Sequence, residues 1–432
     1  MTNKVQQTLL PIKLEASKER LSSLAGLVVL EEMAQGQGLW EMIDRQFPAP
    51  GSRGYKASEF IKPLVWMLSA GGRSLEHVRE LRAEQEVLSK LGLKRLPDAG
   101  TTGDWLRRQG AKGGLTAVAR INKRLISQYL ANQGEELTLD VDATIIEADK
   151  QQAQWTYKKI RGYQPMMAYV SEACVHHEFR EGNESPGSKA VKFLEGCEQT
   201  LPADKKIYLR SDSAYYQGEV IARYSKPGRS FSITADQDSA VKQAIDLIPE
   251  DGWQKYYDED GIATNREIAE TVHCMNYPRQ AFRLIVLRWA NPQPGLFEQS
   301  HYRHYAVATN RPEEESASEV MRRHDGRGES ENWHKELKIG YGMEQMPCGE
   351  TCANGLFFGI GVLAYNLGVL LKADLLPEQY RKSKVATLRW QIYRLAGKLV
   401  RHGRQWTLKV KSDAEKLAML MSVREKCYLM AT

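Results

Sequence analysis

The order of short alternating runs between Glu135 and Ala235 limits the fold more than any other feature of this chain. Leu137-Thr-Leu-Asp-Val-Asp-Ala-Thr-Ile-Ile alternates apolar and polar residues, the signature of a strand buried on one face. Tyr163–Val170 and Val175–Arg180 read as two further strands, and Arg180-Glu-Gly-Asn-Glu-Ser-Pro-Gly as a turn-rich loop. Lys189–Thr200 reads as a helix, Ile207–Asp212 as a strand ending in an aspartate, Tyr215–Ala222 as a helix and Ser230–Ala235 as a strand. Three hairpin-linked strands followed by α/β alternation predict a mixed sheet with helices on its faces, an α/β fold.

With 432 residues, two or three domains are expected. Residues 1–130 read as helical. Ser58 would cap the helix Ser58–Leu68, Gly71-Gly72 would break it, Leu75 would begin another, and Leu96–Arg108 reads as a turn, a threonine cap and a short helix. That pattern suits a helix-turn-helix-like DNA module and an ordinary helical bundle about equally. Residues 131–235 hold the alternating runs. Residues 236–311 read as a mostly β insertion, with strand-like Ala281–Trp289 and His304–Thr309 around Asn291-Pro-Gln-Pro-Gly. Helices return over 312–375. Gly355–Leu371 is apolar and only marginally long enough to cross a bilayer, and it predicts a buried helix packed on a sheet. Residues 376–432 form a basic region. Val385, Leu388, Ile392, Leu395 and Leu399 would be the apolar stripe of a helix there, with Arg394, Lys398 and Arg401 on another face and Gly403 at its end.

Net charge is only +6, yet ten basic and no acidic residues lie between Arg381 and Lys411. That local excess suits a polyanion partner, or a solvated charged face. The six cysteines show no zinc or disulfide spacing, and Met1–Glu15 has no signal-peptide pattern; a reducing cytoplasm is expected.

Residues two apart on a strand face the same way, so Asp140 and Asp142 share a face, which needs compensation such as a metal ion. If the first and fourth strands are neighbours, Asp142 and Asp212 meet. A third acid stands in His324-Asp-Gly-Arg-Gly-Glu-Ser-Glu-Asn-Trp-His-Lys-Glu-Leu-Lys338. On a helix, His324, Arg327, Glu331 and Lys338 fall within about 60° of one another. A carboxylate flanked by cations suits a hard metal ion and phosphate. Asp212 could equally cap the next helix, and Arg327 with Glu331 could be a plain i,i+4 ion pair. A continuous helix here would also have to run through Gly326 and Gly328.

The chain resembles bacterial insertion-sequence transposases of the DDE, RNase H-like class, in the group with a β insertion before the final glutamate. That group carries Tyr-x₂-Arg-x₃-Glu-x₆-Lys; here the spacing reads His324, Arg327, Glu331, Lys338, with histidine in place of tyrosine. The group's Asp-x-Thr is matched by Asp142-Ala143-Thr144, and its Arg-x-Asp-Ser by Arg210-Ser211-Asp212-Ser213. The resemblance implies an RNase H-like catalytic domain over 131–235 and 312–375, a β-rich insertion over 236–311, a helical DNA-binding domain over 1–130, and a basic helical region over 376–432. It implies that Asp142, Asp212 and Glu331 are catalytic and hold two Mg²⁺, with Mn²⁺ as a substitute. DNA would be held by His324, Arg327, Lys338, Arg394, Lys398 and Arg401. The partners would be double-stranded DNA, as element ends and target, and a second copy of the chain, with no membrane. An insertion-domain tryptophan receives a flipped base in relatives, and Trp253 and Trp289 are the candidates. A nuclease of the same fold without strand transfer, a non-catalytic DNA-binding derivative and a metal-dependent phosphatase are the rival readings.

Overall fold

The computed structural model describes residues 12, 15–291 and 301–431. Nine strands form one central sheet: β1 (Glu136–Ala143), β2 (Met166–Val170), β3 (Ala173–Glu178), β4 (Lys206–Ser211), β5 (Arg229–Thr234), β6 (Gln254–Tyr257), β7 (Ala263–Cys274), β8 (Ala281–Ala290) and β9 (Tyr302–Thr309). Their order is β6-β7-β8-β9-β5-β4-β1-β2-β3. β1, β4 and β5 run parallel, and every other pairing is antiparallel. The five runs read from the sequence are β1–β5, in the predicted chain order. The segment expected as an insertion builds no sheet of its own. β9 pairs with β5, so β6–β9 extend the central sheet. The Pro-Gln-Pro-Gly stretch after Asn291 lies outside the described residues.

Leu137, Leu139 and Val141 of β1 are buried, as the alternation requires. Asp140 is buried as well, and its compensation is an arginine. Asp140 lies opposite Arg210 of β4, whose guanidinium donates to both carboxylate oxygens at 2.7 Å. The metal ion expected to relieve the Asp140–Asp142 pair is therefore not needed for Asp140.

The helices before the sheet include α1 (Ala57–Ala70), α2 (Ala99–Gly110) and α3 (Gly114–Ala131). α1 is capped at Lys56, and Ser58 instead hydrogen-bonds Asp44. Gly71 ends α1 at φ +98°, where only glycine is unstrained. Asp98, not a threonine, caps α2 by accepting from Thr101 N. α4 (Ala317–Asp325) and α5 (Glu329–Lys335) are joined by one 3₁₀ turn, and a π turn over Glu336–Gly340 follows. Gly326 and Gly328 keep helical φ of −55° and −56°, so the helix runs on through both. Gly326 has a packing reason: a Cβ there would stand 2.5 Å from Arg210 Nη1.

α6 (Thr351–Leu370) is the apolar run, long and apolar enough to cross a membrane by composition, but buried in this fold. It packs on α1, α2 and α3 and on β3 of the sheet. Its two asparagines are satisfied there. Asn366 donates to Asn122 and Cys174 O and accepts from Cys174 N, while Asn354 donates to Tyr163 and Cys348 O.

The basic helix expected over 385–403 is corrected. Helical turns stop at Tyr393, and β10 (Gly397–His402) and β11 (Gln405–Val410) form a hairpin. β10 also pairs with Leu21–Ser22. Gly403 makes the hairpin turn at φ +57° and ends no helix. α7 (Ala414–Ala431) packs against the N-terminal helix Val28–Gly36.

Candidate active site

The parallel register of β1 and β4 sets Val141 opposite Ser211. Asp142 and Asp212, one residue further on, therefore leave the sheet at the same end, side by side. Asp212 also caps the next turn, accepting from Ala214 N at 3.1 Å. α5 brings Glu331 to the same place. Asp142, Thr144, Glu331, His334 and Lys338 line one cavity of about 380 Å³. Arg327 reaches over the carboxylates, with Nη1 3.8 Å from Asp142 Oδ2.

The electrostatics follow from that crowding. Burial and the neighbouring Asp212 carboxylate push Asp142 up to about 6, against the pull of Arg327. Burial also raises Asp212, with Asp236 adding to it, while the Ala214 N–H and Arg327 lower it. Two half-buried acids thus repel each other, with one arginine as partial compensation.

Among the described residues, no three His, Cys, Asp or Glu side chains stand at metal-ligand spacing. In kind, the carboxylates fit a hard divalent cation: they offer oxygen ligands, and burial raises both Asp142 and Asp212, a cost that a bound cation would relieve.

The remaining predicted residues separate. Lys338 lines the same cavity, donates to Ile145 O at 2.6 Å, and is lowered by burial. His324 is not at the surface as a DNA contact. It is buried, with Nδ1 2.8 Å from Ser232 Oγ and Nε2 within 3.1 Å of the Thr234 and Tyr305 hydroxyls. Burial and two arginines push it down to about 3, so it is neutral at physiological pH. Arg394, Lys398 and Arg401 share no helix face. Arg394 follows the last helical turn and donates to Ala70 O, while Lys398 and Arg401 lie on β10, one paired with Glu19 and the other over Trp406. Trp253 and Trp289 each lie under an arginine, Arg288 and Arg266 respectively.

Two residues at the site escape a reading of the sequence alone. Arg210 anchors Asp140 and also donates to Arg323 O at 2.6 Å, tying β4 to α4. The Arg-x-Asp-Ser spacing marked its position but not its task. His334 stands one turn beyond Glu331, buried, with Nε2 lacking a hydrogen-bond partner among the described residues. Its helical i+3 offset from Glu331 was the available signal.

A sequence model for the transposase DDE domain, group 1, matches residues 6–430, and the chain belongs to that family. Transposases of this family generally work with divalent metal ions. Among solved structures, the chain is similar to the piggyBac transposase in a synaptic complex with hairpin DNA. The TM-score is 0.46 at 10% identity, covering 86% of this chain and 78% of that one. No curated protein matches it.

Proposed function

We propose that the chain is the DNA transposase of a bacterial insertion sequence, acting through one RNase H-like site. It would bind the terminal inverted repeats of its element as a dimer, cut at the element ends and join the 3′-hydroxyl ends to target DNA. The observation that carries this reading is the register of β1 and β4, which delivers Asp142 and Asp212 to one end of the sheet beside Glu331.

In this reading Asp142, Asp212 and Glu331 hold two divalent ions, Mg²⁺ or Mn²⁺ in its place. Such ions supply an activated oxygen nucleophile and neutralise charge on the leaving oxygen. The chain's own groups do the rest. Arg327, already beside Asp142, can turn its planar fork to a phosphate oxygen. Lys338 uses one of its three N–H groups on Ile145 O and keeps two for a neighbouring phosphate. Arg210 fixes β1 against β4 and α4, so the carboxylates hold their spacing while DNA enters and leaves. The N-terminal helices and the basic 381–411 segment, with Arg394, Lys398 and Arg401, would grip the element ends.

The test is incubation of the full chain with Mg²⁺, a plasmid target and DNA bearing the inverted repeats that flank its gene. Joined products are expected. Hydrolysis without joining would mean a nuclease of the same fold, and binding without nicking a non-catalytic DNA-binding protein; either overturns the proposal.

A further inference from the structure

The cavity at the carboxylates is one end of a longer groove. It shares Ala143, Thr144, Lys338 and Glu344 with a neighbouring cavity of about 710 Å³. That one shares Glu147, Glu344 and Gln345 with a third, of about 560 Å³, which reaches Arg73, α2 and Arg107. Glu147, Tyr157, Lys158 and Ile160 of the middle cavity's lining belong to a small three-stranded sheet and its turn, with Gln154–Trp155 and Ile146–Glu147 on either side of Arg161–Tyr163.

Trp155 ends the strand Gln154–Trp155 and Tyr157 stands in the turn after it; they are 65% and 66% exposed. Exposed aromatic rings beside a charged groove suit a ligand with flat faces. Tyr157 and Lys158 line the groove themselves, with Lys158 Nζ 5.7 Å from the Tyr157 ring centre. The turn is firmly held. Thr156 N donates to Ile160 O at 2.8 Å and Lys159 N to Thr156 O at 2.9 Å. Gly162 lies so close to Ile146 that a Cβ would fall 1.9 Å from its carbonyl oxygen.

Charge distinguishes the form of the ligand. The groove carries Arg73, Arg107, Lys150, Lys158 and Lys338, but also Glu76, Glu147 and Glu344, and Arg73 is paired with Glu344 at 3.4 Å. A duplex, with phosphates on both flanks, is held by uncontested positive charge. Mixed charge with open rings suits a single strand whose bases stack on the protein.

We infer that this groove holds unpaired DNA leading away from the reacting phosphate, with Tyr157 stacked on a base. The inference rests on the transposase reading above and adds a base-binding site outside the carboxylate cluster.

The experiment uses the full chain in EDTA and follows fluorescence anisotropy of a labelled short oligothymidylate and of an abasic strand of equal length. Wild type is expected to bind the thymidylate more tightly than the abasic strand. Tyr157→Ala should weaken thymidylate binding about tenfold and leave the abasic strand unchanged, and Tyr157→Phe should bind as wild type. Circular dichroism and the behaviour of Tyr157→Phe control for folding. Equal binding of both strands by wild type, no binding of either, or a Tyr157→Ala protein that binds thymidylate as tightly as wild type would each overturn the inference. The joining assay is read separately, so a chain that joins DNA normally but fails here refutes the groove and not the transposase.

Discussion

Replacing Asp142 with asparagine should make the metal-free protein more stable while removing its activity. Asp142 rises from an ordinary 3.8 to about 6 through burial and the neighbouring Asp212. A rise of that size is worth about 3 kcal/mol. The folded pKa lies above the unfolded one, so the protonated carboxyl is the form the fold accepts. The penalty is absent below pH 3.8, grows through the window up to about 6, and is full above it. Asparagine keeps the shape and the acceptor for Ala143 N, and carries no charge. For a chain of this length the gain corresponds to a Tm higher by about 3 °C at pH 8 in EDTA, and about half that at pH 5. Added Mg²⁺ should raise the wild-type Tm and leave Asp142→Asn unchanged, closing the gap. Thermal unfolding by circular dichroism at the two pH values measures this. An Asp142→Asn protein no more stable than wild type at pH 8 in EDTA would refute the account of a site strained by its own carboxylates.

Arg210→Met should strip the buried Asp140 of its partner and cost about 3–5 kcal/mol in urea unfolding, and the double variant Asp140→Leu with Arg210→Met should recover much of that loss. His324→Phe should lower stability by about 1–3 kcal/mol, because it removes the hydrogen bonds from the ring to Ser232, Thr234 and Tyr305, and should not change the salt dependence of DNA binding. A changed salt slope would return His324 to the DNA-contacting set. Lys338→Met should weaken DNA binding and flatten its salt dependence by about one unit of slope, as measured by electrophoretic mobility shift across a salt series.

Much of the sheet was legible because its signals are local. The alternation of Leu137, Leu139 and Val141 with polar neighbours needs no distant partner to be seen, and neither does the aspartate ending the run at Asp212. Whether β1 and β4 are neighbours stayed a condition in the sequence, and their parallel pairing in the fold meets it, setting Asp142 beside Asp212. What stayed hidden depended on distant residues. Val385, Leu388 and Ile392 keep helical spacing, but Leu399 belongs to β10, whose pairing with Leu21–Ser22 joins residues nearly the whole chain apart. A local signal for that hairpin did exist. Lys398-Leu-Val-Arg and Gln405-Trp-Thr-Leu flank His402-Gly403-Arg404, a glycine turn between alternating runs. The helical spacing of Val385, Leu388 and Ile392 masks it, because Leu395 and Leu399 fit both periods. His324 misled for a related reason. Its angle on the helix matched Arg327 and Glu331, but the hydroxyls that bury it come from β5 and β9.

The account rests most on Asp142, Asp212 and Glu331 acting as one site. The direct measurement compares Mg²⁺-dependent nicking of element-end DNA by wild type, Asp142→Asn, Asp212→Asn and Glu331→Gln, with end binding followed in parallel. The account predicts that all three variants bind the ends and none cuts. A variant that still nicks at the wild-type rate would remove its residue from the site and contradict the account.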